Sequence, residues 1–360
     1  MKVIISAGGT GGHIYPALAV INKIKASNKD TQFLYIGTHN RMEKDIVPKY
    51  DIPYEEIEIY GFNRRHLFKN FKTIKCLMQA NKKCKKLMKD FKPDVVMGFG
   101  GYVTVPVIKT ASKLGFKTFI HEQNSVPGKA NQYLSNYADM IGLSFKSSKQ
   151  YFPKEKAILT GNPCSEDALK VKPINKKDFN LIDNKKLVLV VMGSLGASKV
   201  NEFLIKTMSL FNDKDYEILY VTGQADYEKI SKFMFPKNVK IVAYIDQMTR
   251  IMQQTDIMIT RAGASTLSEI IALEIPSIII PSPYVTNNHQ YKNAIDLINN
   301  KAGIMVEEKD LKGDILVREV DKLINDSKTI KNIKNNLKQM QVNNSASIIY
   351  DNILNLIDRK

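Results

Sequence analysis

The 360-residue sequence has few cysteines and no hydrophobic run long enough to cross a membrane. Its three cysteines, Cys76, Cys84 and Cys164, form no CxxC pair, and their odd number excludes a complete set of disulfides. We therefore expect a reducing cytoplasm. No stretch approaches the roughly 18 apolar residues of a membrane-spanning helix, and the first apolar run stops at glycines, so we expect no signal peptide. Any contact with a membrane should occur at its surface.

Two common nucleotide-binding signatures are also absent. The sequence has no GxxxxGKS or GxxxxGKT phosphate loop, and Ile14 stands where the dinucleotide fingerprint GxGxxG requires its third glycine. The second predicted strand ends in LYIGTHN, without the acidic residue that would hold a ribose, so NAD is a minor alternative. The only DxD triplet, at 213–215, precedes a predicted strand in a polar turn, and we expect neither a metal nor a cofactor.

Acidic residues are fewer than basic residues. The chain has 53 basic and 36 acidic residues, which gives a formal net charge of +17 and a pI of about 9.5. Such an excess favours an acidic partner, which could be nucleic acid, an anionic membrane surface or a phosphorylated substrate.

Short β-branched runs alternate with helical patterns along the chain. Apolar runs of this length are typical of parallel strands covered on both faces. They predict ten strands, at 3–6, 32–37, 94–100, 118–122, 140–144, 187–193, 217–223, 239–244, 256–260 and 276–281. Because the opening pattern of strand, glycine turn and helix returns at residue 187, the sequence predicts two doubly wound α/β domains. We place these domains at 1–160 and 161–341, with a last helix at 342–360 that packs back on the first domain.

The segment AGGTGGH, residues 7–13, joins the first strand to the first helix. Glycines at such a turn let a ligand approach the backbone, and the N–H groups and dipole of the helix favour a negative or polar partner. Thr10, Gly11 and Gly12 are therefore candidate ligand contacts. His13 would lie in the first helical turn, where the dipole favours the neutral imidazole, and it is a candidate general base. The alternative is a histidine that only hydrogen-bonds the loop.

Polar residues follow two further strands of the first half, at the edge where open α/β sheets bind ligands. The motif HEQN offers Glu122 and Asn124, whose polar groups are of the kind that read sugar hydroxyls. The GGY turn, which contains Gly101 and Tyr102, is another glycine turn at a strand end. Each signal is weak when taken alone.

The second half carries RAGASTLSE, residues 261–269, between a predicted strand and a helix. Small residues there leave the N–H groups of the helix start open to a phosphate, and Glu269 could accept ribose hydroxyls. The motif HQYKNA places Gln290 in a polar cluster that suits a sugar. A solvated helix glutamate and a solvated loop are the respective alternatives.

All these motifs occur in one order, and together they make the chain resemble the MurG family, the UDP-N-acetylglucosamine transferases of peptidoglycan lipid synthesis. The resemblance runs from residue 3 to about 300 and rests on GGTGGHIYPALA, GGY, HEQN, TGNP, GSLGA, YIDQM, RAGASTLSE and HQYKNA. It implies a GT-B fold, in which two Rossmann-like doubly wound parallel-sheet domains face each other across a cleft. It also implies transfer of N-acetylglucosamine from UDP to the C4 hydroxyl of the muramyl sugar of lipid I, which forms lipid II with inversion and without an essential metal.

The resemblance assigns the UDP-N-acetylglucosamine site to Thr10, Gly11, Gly12, Asn124, Ser165, Ser194, Ile245, Ala264, Ser265, Thr266, Leu267, Ser268, Glu269 and Gln290. We take His13 and Glu122 as the catalytic candidates, and Tyr102 and Gly101 as hypotheses for the acceptor side. The family often has an arginine two residues after GNP, where this chain has Ser165. Pyrophosphate binding should then depend more on Ser194, the loop N–H groups and the helix dipole.

The segment 64–92 carries eleven Lys or Arg residues and one acid, Asp90. Apolar residues recur in it at helical spacing: Leu67, Phe71, Ile74, Leu77 or Met78, Cys84, Leu87 or Met88, and Phe91. One interpretation is a core-facing stripe beneath a solvated charged face. The other is docking on an anionic membrane with Leu67, Phe68 and Phe71 in the headgroup layer, which agrees with a lipid-linked acceptor and a peripheral location on the cytoplasmic face of the cell membrane. No nucleic-acid motif accompanies the lysines, and we expect no nucleic-acid partner.

Two other functions stay open. A UDP-N-acetylglucosamine 2-epimerase would use the same fold and a donor site, but it would require neither the basic segment nor the GGTGGH and HEQN pair. A non-catalytic basic binding protein would leave both glycine-turn sites unexplained.

Overall fold

The computed structural model describes residues 1–61, 70–193 and 197–358. Three residues named above, Leu67, Phe68 and Ser194, lie outside the described residues. The chain divides into two compact units, the first of Met1–Glu166 with Val342–Lys360 and the second of Asp167–Gln341.

Each unit contains one sheet and the helices that cover it. The strands are β1 (Lys2–Ser6), β2 (Gln32–Thr38), β3 (Tyr54–Ile57), β4 (Val95–Gly98), β5 (Lys117–Glu122), β6 (Met140–Leu143), β7 (Ala157–Leu159), β8 (Lys186–Val191), β9 (Tyr216–Val221), β10 (Val239–Val242), β11 (Ile257–Thr260), β12 (Ser277–Ile279) and β13 (Ile304–Met305). The helices are α1 (Gly11–Ser27), α2 (Glu43–Ile46), α3 (Asn70–Phe91), α4 (Thr104–Lys113), α5 (Lys129–Leu134), α6 (Cys164–Lys170), α7 (Ser198–Thr207), α8 (Gln224–Ile230), α9 (Thr249–Met252), α10 (Ala264–Leu273), α11 (His289–Asn299), α12 (Ile315–Asn325), α13 (Ser327–Met340) and α14 (Ser345–Asp358).

Both sheets are parallel, and in each the first strand lies in the interior. The first sheet has the order β3-β2-β1-β4-β5-β6-β7 and the second β10-β9-β8-β11-β12-β13. Ile4 of β1, for example, pairs with Leu34 of β2 on one side and Val96 of β4 on the other. Strand order therefore reverses between β1 and β4 and between β8 and β11. In open α/β sheets, ligands bind beside such switch points, at the carboxyl ends of the strands.

The first sheet is buried on both faces, because successive residues of a strand point to opposite sides. Val3 and Ile5 belong to one core cluster and Ile4 to the other. The last helix, α14, completes the first of these clusters with Ile349, Ile353 and Leu356. The end of the chain is thus part of the core of the first unit.

All ten predicted strands are confirmed, with ends that differ by a few residues, and so is the α/β class with two parallel sheets. Three further strands, β3, β7 and β13, were not predicted from the sequence. Each lies at the edge of its sheet, where a strand has one neighbour and is less completely buried. Edge strands therefore do not require the continuous apolar runs that identified the others.

Helix α3 corrects the predicted apolar stripe of the basic segment. Among the α3 residues whose side chains the structure describes, the buried ones are Thr73, Cys76, Ala80, Cys84 and Met88, which follow one another at helical spacing. Ile74, which the prediction placed on the stripe, and Met78, which it gave as an alternative to Leu77, are instead 46% and 68% exposed. Within the described part of the chain, no helix is long and apolar enough to cross a bilayer.

Candidate functional site

Two glycine turns meet at the switch point of the first sheet, one after β1 and one after β4. The N–H of Gly8 donates to the carbonyl of Gly100 at 3.2 Å. Gly100 and Gly101 have φ angles of +106° and +90°, in the region that favours glycine, and a Cβ on Gly101 would run into the carbonyl oxygen of Gly8. Glycine is therefore required for the two turns to approach this closely.

The first turn leads into α1, which carries the predicted base. Thr10 is the extended N-cap residue, its side chain makes no capping hydrogen bond, and Gly11 and Gly12 form the first turn. The Nδ1 atom of His13 lies 3.0 Å from the carbonyl oxygen of Gly8. Because a carbonyl only accepts hydrogen bonds, Nδ1 must carry the proton, and the Nε2 atom of the neutral ring is then the basic one.

The second turn carries the residues assigned to the acceptor. Gly101 packs against the first turn, and the side-chain hydroxyl of Thr104 donates to its carbonyl at 2.7 Å. Tyr102 follows and is 59% exposed. A Cβ on Gly61 would lie 2.9 Å from the Tyr102 ring, so the ring can occupy this position because residue 61 has no side chain.

Glu122, at the end of β5, is buried and its carboxylate is fully used inside the unit. Oε1 accepts from the backbone N–H and side-chain amide of Asn124 at 2.9 and 3.0 Å, and Oε2 accepts from the N–H of Gly128 and the amide of Asn131 at 3.1 and 2.9 Å. Four hydrogen bonds fill the acceptor positions of a carboxylate. Glu122 thus holds the loop of Asn124 in place through these bonds, and its assignment as a catalytic candidate stays a prediction.

His121 and Gln123 of the HEQN motif form hydrogen bonds with neighbouring segments of the first unit. Burial lowers the pKa of His121 to about 4, so that its ring is neutral at physiological pH. Its Nε2 atom lies 3.0 Å from the carbonyl oxygen of Gly161, and the Gln123 amide donates to its Nδ1 atom at 3.1 Å and to the carbonyl of Phe99 at 2.9 Å. The motif thus connects the TGNP loop to the second glycine turn.

In the second unit, the predicted phosphate-binding helix start is present as α10. Gly263 is its N-cap residue and supplies no side-chain cap, so the first N–H groups of the helix are uncapped by a side chain. The hydroxyl of Ser265 is buried and has no hydrogen-bond partner among the described residues. The Ser268 hydroxyl, in contrast, donates to the Ala264 carbonyl at 2.8 Å, and Leu267 is buried in the core. Thr266 lies in the same first turn.

Three residues that the sequence did not single out hold this turn in place. Arg261, which is buried, forms an ion pair with Glu308 at 2.9 Å and also donates to the carbonyl of Ile280 at 3.1 Å. Asn293, which is buried, donates to the carbonyl of Ala262 at 3.2 Å. Arg261 and Asn293 stand inside recognised motifs, but nothing in the sequence marks Glu308 as the partner of Arg261.

The remaining donor-site candidates of the second unit differ in their surroundings. Burial raises the pKa of Glu269, on α10, to about 7. The side-chain oxygen of Gln290 accepts from the backbone N–H of Ser282 at 2.8 Å, so a contact of Gln290 with a sugar would use its amide nitrogen. Ile245 is buried in the loop after β10.

Ser165 lies at the start of α6 in the first unit, and its hydroxyl donates to the Asn162 carbonyl at 2.7 Å. This bond stabilises the turn that begins the helix. Of the predicted site residues, the first unit thus brings His13 together with the GGY turn at one switch point, and the second unit gathers Ala264–Glu269 on a single helix.

Comparison with known proteins defines the class of enzyme. The glycosyltransferase family 28 N-terminal domain matches residues 3–143, and the C-terminal domain of the same family matches residues 187–349. The chain is therefore a glycosyltransferase with a GT-B fold.

Individual relatives narrow this class. The UDP-N-acetylglucosamine--N-acetylmuramyl-(pentapeptide) pyrophosphoryl-undecaprenol N-acetylglucosamine transferase 1 of Bacillus cereus is 42% identical over all of both chains. The corresponding transferase of Bacillus licheniformis is 42% identical over 98% of this chain and 97% of its own. The crystal structure of Acinetobacter baumannii MurG matches with a TM-score of 0.80 and 26% identity over 98% of this chain and 99% of that one. This chain belongs to the MurG family.

The UDP-GlcNAc 2-epimerase of Neisseria meningitidis shares the fold alone. It matches with a TM-score of 0.71 at 16% identity, over 99% of this chain and 100% of that one. The epimerase alternative is therefore not favoured.

Proposed function

We propose that this chain transfers N-acetylglucosamine from UDP to the C4 hydroxyl of the muramyl sugar of undecaprenyl-pyrophosphoryl-N-acetylmuramyl-pentapeptide, the product being lipid II of peptidoglycan synthesis. The activity for which relatives that are 42% identical over nearly the full length are named supports the reaction. The single structural observation that carries it is the hydrogen bond between His13 Nδ1 and the Gly8 carbonyl, because it leaves Nε2 as the basic atom.

The proposed reaction is one displacement at the anomeric carbon. The C4 oxygen of the acceptor forms a bond to that carbon while the bond to the UDP oxygen breaks, so the configuration inverts. The acceptor hydroxyl loses its proton to Nε2 of His13, and the electron pair of the broken bond leaves with UDP. A base that takes the proton as the bond forms contributes about 10²–10⁴ to such a rate.

We assign the departing diphosphate to the start of α10. The uncapped N–H groups of its first turn and the unpartnered Ser265 hydroxyl are donors that suit an anion, and the helix dipole adds favourable potential. Arg261 stabilises this turn through its ion pair with Glu308. Ser165 and Ser194, the latter outside the described residues, stay candidate contacts of the donor.

The reaction is tested with labelled UDP-N-acetylglucosamine, with and without the lipid-linked acceptor, in the presence of a chelator. Label that enters the lipid extract only when acceptor is present supports the transferase. Label that appears instead as a free epimer supports the alternative enzyme, and the absence of any turnover leaves a binding protein.

Glu269 gives the donor site a specific pH dependence. We propose that its carboxylate accepts the ribose hydroxyls of the donor, which it does best when ionised. Since burial raises its pKa to about 7, the ionised fraction increases as the pH rises through neutrality. The affinity for UDP-N-acetylglucosamine should therefore rise about tenfold from about pH 6 to about pH 8, as measured by calorimetry. The diphosphate diester of this ligand does not titrate in the same range.

Glu269→Gln isolates the effect, because an amide has no charge to gain. This variant should bind more weakly at the higher pH and show a flat profile. Glu228→Gln, on an exposed carboxylate of the same unit, should retain the rise. A rise of equal size in Glu269→Gln would assign the titration to another group.

We also propose that α3 contacts an anionic membrane surface on the cytoplasmic side. Ile74 and Met78 are exposed on a helix whose lysines Lys75, Lys82 and Lys85 are exposed as well. Apolar side chains among lysines are typical of helices that lie in the headgroup layer, where each basic residue contributes about 1 kcal/mol. Such a surface would bring the enzyme to a lipid-linked acceptor.

Replacing both Ile74 and Met78 by serine should reduce binding to phosphatidylglycerol vesicles at least about tenfold in a sedimentation assay, because two large apolar side chains no longer enter the lipid. Ile182→Ser, at an exposed isoleucine of the second unit, is the matched control and should bind as the unaltered chain does. Equal binding of the double variant would exclude this face as the membrane contact.

A further inference from the structure

Glu43 is a buried carboxylate that no sequence motif singled out. It begins α2, and its side chain is fully buried in the first unit. Oε1 accepts from the backbone N–H of Thr38 at 3.1 Å and from its hydroxyl at 2.6 Å, while Oε2 accepts from the backbone N–H of Gly9 at 3.0 Å. A buried carboxylate is tolerated only with such hydrogen bonds. The bond to Gly9 links α2 directly to the glycine turn.

The N–H of Gly9 and the carbonyl of Gly8 belong to the same peptide group. In a trans peptide these two polar groups point in opposite directions within one plane. Glu43 accepts from the N–H side of this group at 3.0 Å, and His13 Nδ1 contacts the carbonyl side at 3.0 Å. The carboxylate and the imidazole are thus joined through a single peptide unit.

We propose that Glu43 is a positioning residue for sugar transfer, which orients and polarises His13 through the Gly8–Gly9 peptide group. The inference rests on the proposed role of His13 as base. A carboxylate that accepts the peptide N–H increases the negative charge on the carbonyl oxygen, and hydrogen bonds in such chains strengthen one another by about 10–30%. The carbonyl then holds the Nδ1 proton more firmly and stabilises the imidazolium that forms when Nε2 takes up a proton.

The neighbourhood of Glu43 holds this arrangement rigidly. A Cβ on Gly8 would run into the carboxylate, and the Tyr35 hydroxyl donates to the carbonyl of Ala7 at 3.0 Å. Tyr54, on β3, donates to the carbonyl of Thr38 at 2.6 Å.

Two tyrosines are the titratable groups that interact with Glu43. The pKa of both Tyr35 and Tyr54 is raised, mainly by burial and secondarily by the charge of Glu43. Both tyrosines therefore stay neutral in the pH range of an enzyme assay. Asp45 and Glu56 also act on Tyr54 and raise its pKa further. A change of activity between about pH 5 and 8 is then not due to the tyrosines.

The test compares Glu43→Gln with the unaltered chain, because an amide keeps the shape and removes the charge. We expect kcat to fall about tenfold and the acidic limb of the kcat/KM profile to move to lower pH, since His13 becomes a weaker base. KM for UDP-N-acetylglucosamine should change less than about twofold. Glu55→Gln, at a half-exposed carboxylate of β3 that pairs with Lys83, is the matched control and should leave all three quantities unchanged.

A second comparison separates positioning from a loss of structure. In a His13→Ala background, Glu43→Gln should have no further effect on kcat, because the group it acts on is gone. An equal tenfold fall in that background, or an unshifted pH profile, overturns the proposal. If Glu43→Gln does not fold, Glu43→Asp, which keeps the charge but withdraws it from Gly9, should give the same pattern with a smaller fall. Normal turnover of His13→Ala alone would instead remove the proposed base.

Discussion

Replacing His13 by alanine should lower kcat by about 10²–10⁴ while the affinity for UDP-N-acetylglucosamine changes little. The large effect is expected because Nε2 of His13 is the atom proposed to take the proton of the acceptor hydroxyl, and water replaces it poorly. The small effect on binding follows from the proposed donor contacts, which lie mainly on α10 of the second unit. Steady-state transfer and calorimetry measure the two quantities separately.

Asn22→Ala is the control for this variant. Asn22 is exposed on the same helix, so its replacement alters α1 without touching the turn at its start. It should transfer at the rate of the unaltered chain. If His13→Ala retains more than about a tenth of the normal kcat, His13 does not act as the base, and the Gly8 contact only stabilises the loop.

Replacing Gly100 by alanine should lower kcat by about 10² although residue 100 contributes no chemical group. A Cβ at this position would lie 2.7 Å from Cδ2 and 2.9 Å from Nε2 of His13, so the imidazole has to move. A displacement of about 1 Å from productive geometry reduces a rate by about 10². Transfer kinetics with saturating donor would measure the loss, and the melting temperature would show whether the fold is retained.

Gly115→Ala controls for backbone strain. Gly115 has a φ angle of +79°, close to the left-handed conformation of Gly100, but a Cβ there would meet no atom within 4 Å. Both variants should lose about 1–2 kcal/mol of stability from the positive φ angle, and only Gly100→Ala should lose transfer activity. Equal activities would show that the ring adjusts without consequence.

Much of each candidate site could be predicted because the relevant contacts are local in sequence. A strand that runs into glycines and then a helix places Thr10, Gly11 and Gly12 at a helix start, and the same reasoning places Ala264 at the start of α10. The edge of the sheet on which these loops lie also follows from the parallel strands. The positions of these residues follow from the order of strand, turn and helix along the chain.

The hydrogen-bonding environment of Glu122 could not be predicted in the same way. Its sequence neighbours suggested a carboxylate open to substrate, whereas the structure surrounds it with the donors of Asn124, Gly128 and Asn131. The last two approach only because the chain turns back into α5. A motif names the residue type but does not show how many hydrogen bonds the fold already supplies to it.

The sequence by itself determined the α/β class, ten of the strands, the glycine turns and the MurG family, because apolar runs and short motifs are properties of neighbouring residues. Only the tertiary structure decided which glycine turns touch, which nitrogen of His13 is basic, and that Glu43 contacts the peptide group behind it. These outcomes depend on strand order, since β4 lies beside β1 and brings Gly100 to Gly8, which is 92 positions away in the sequence. Contacts between distant segments arise from packing, and no local pattern records them.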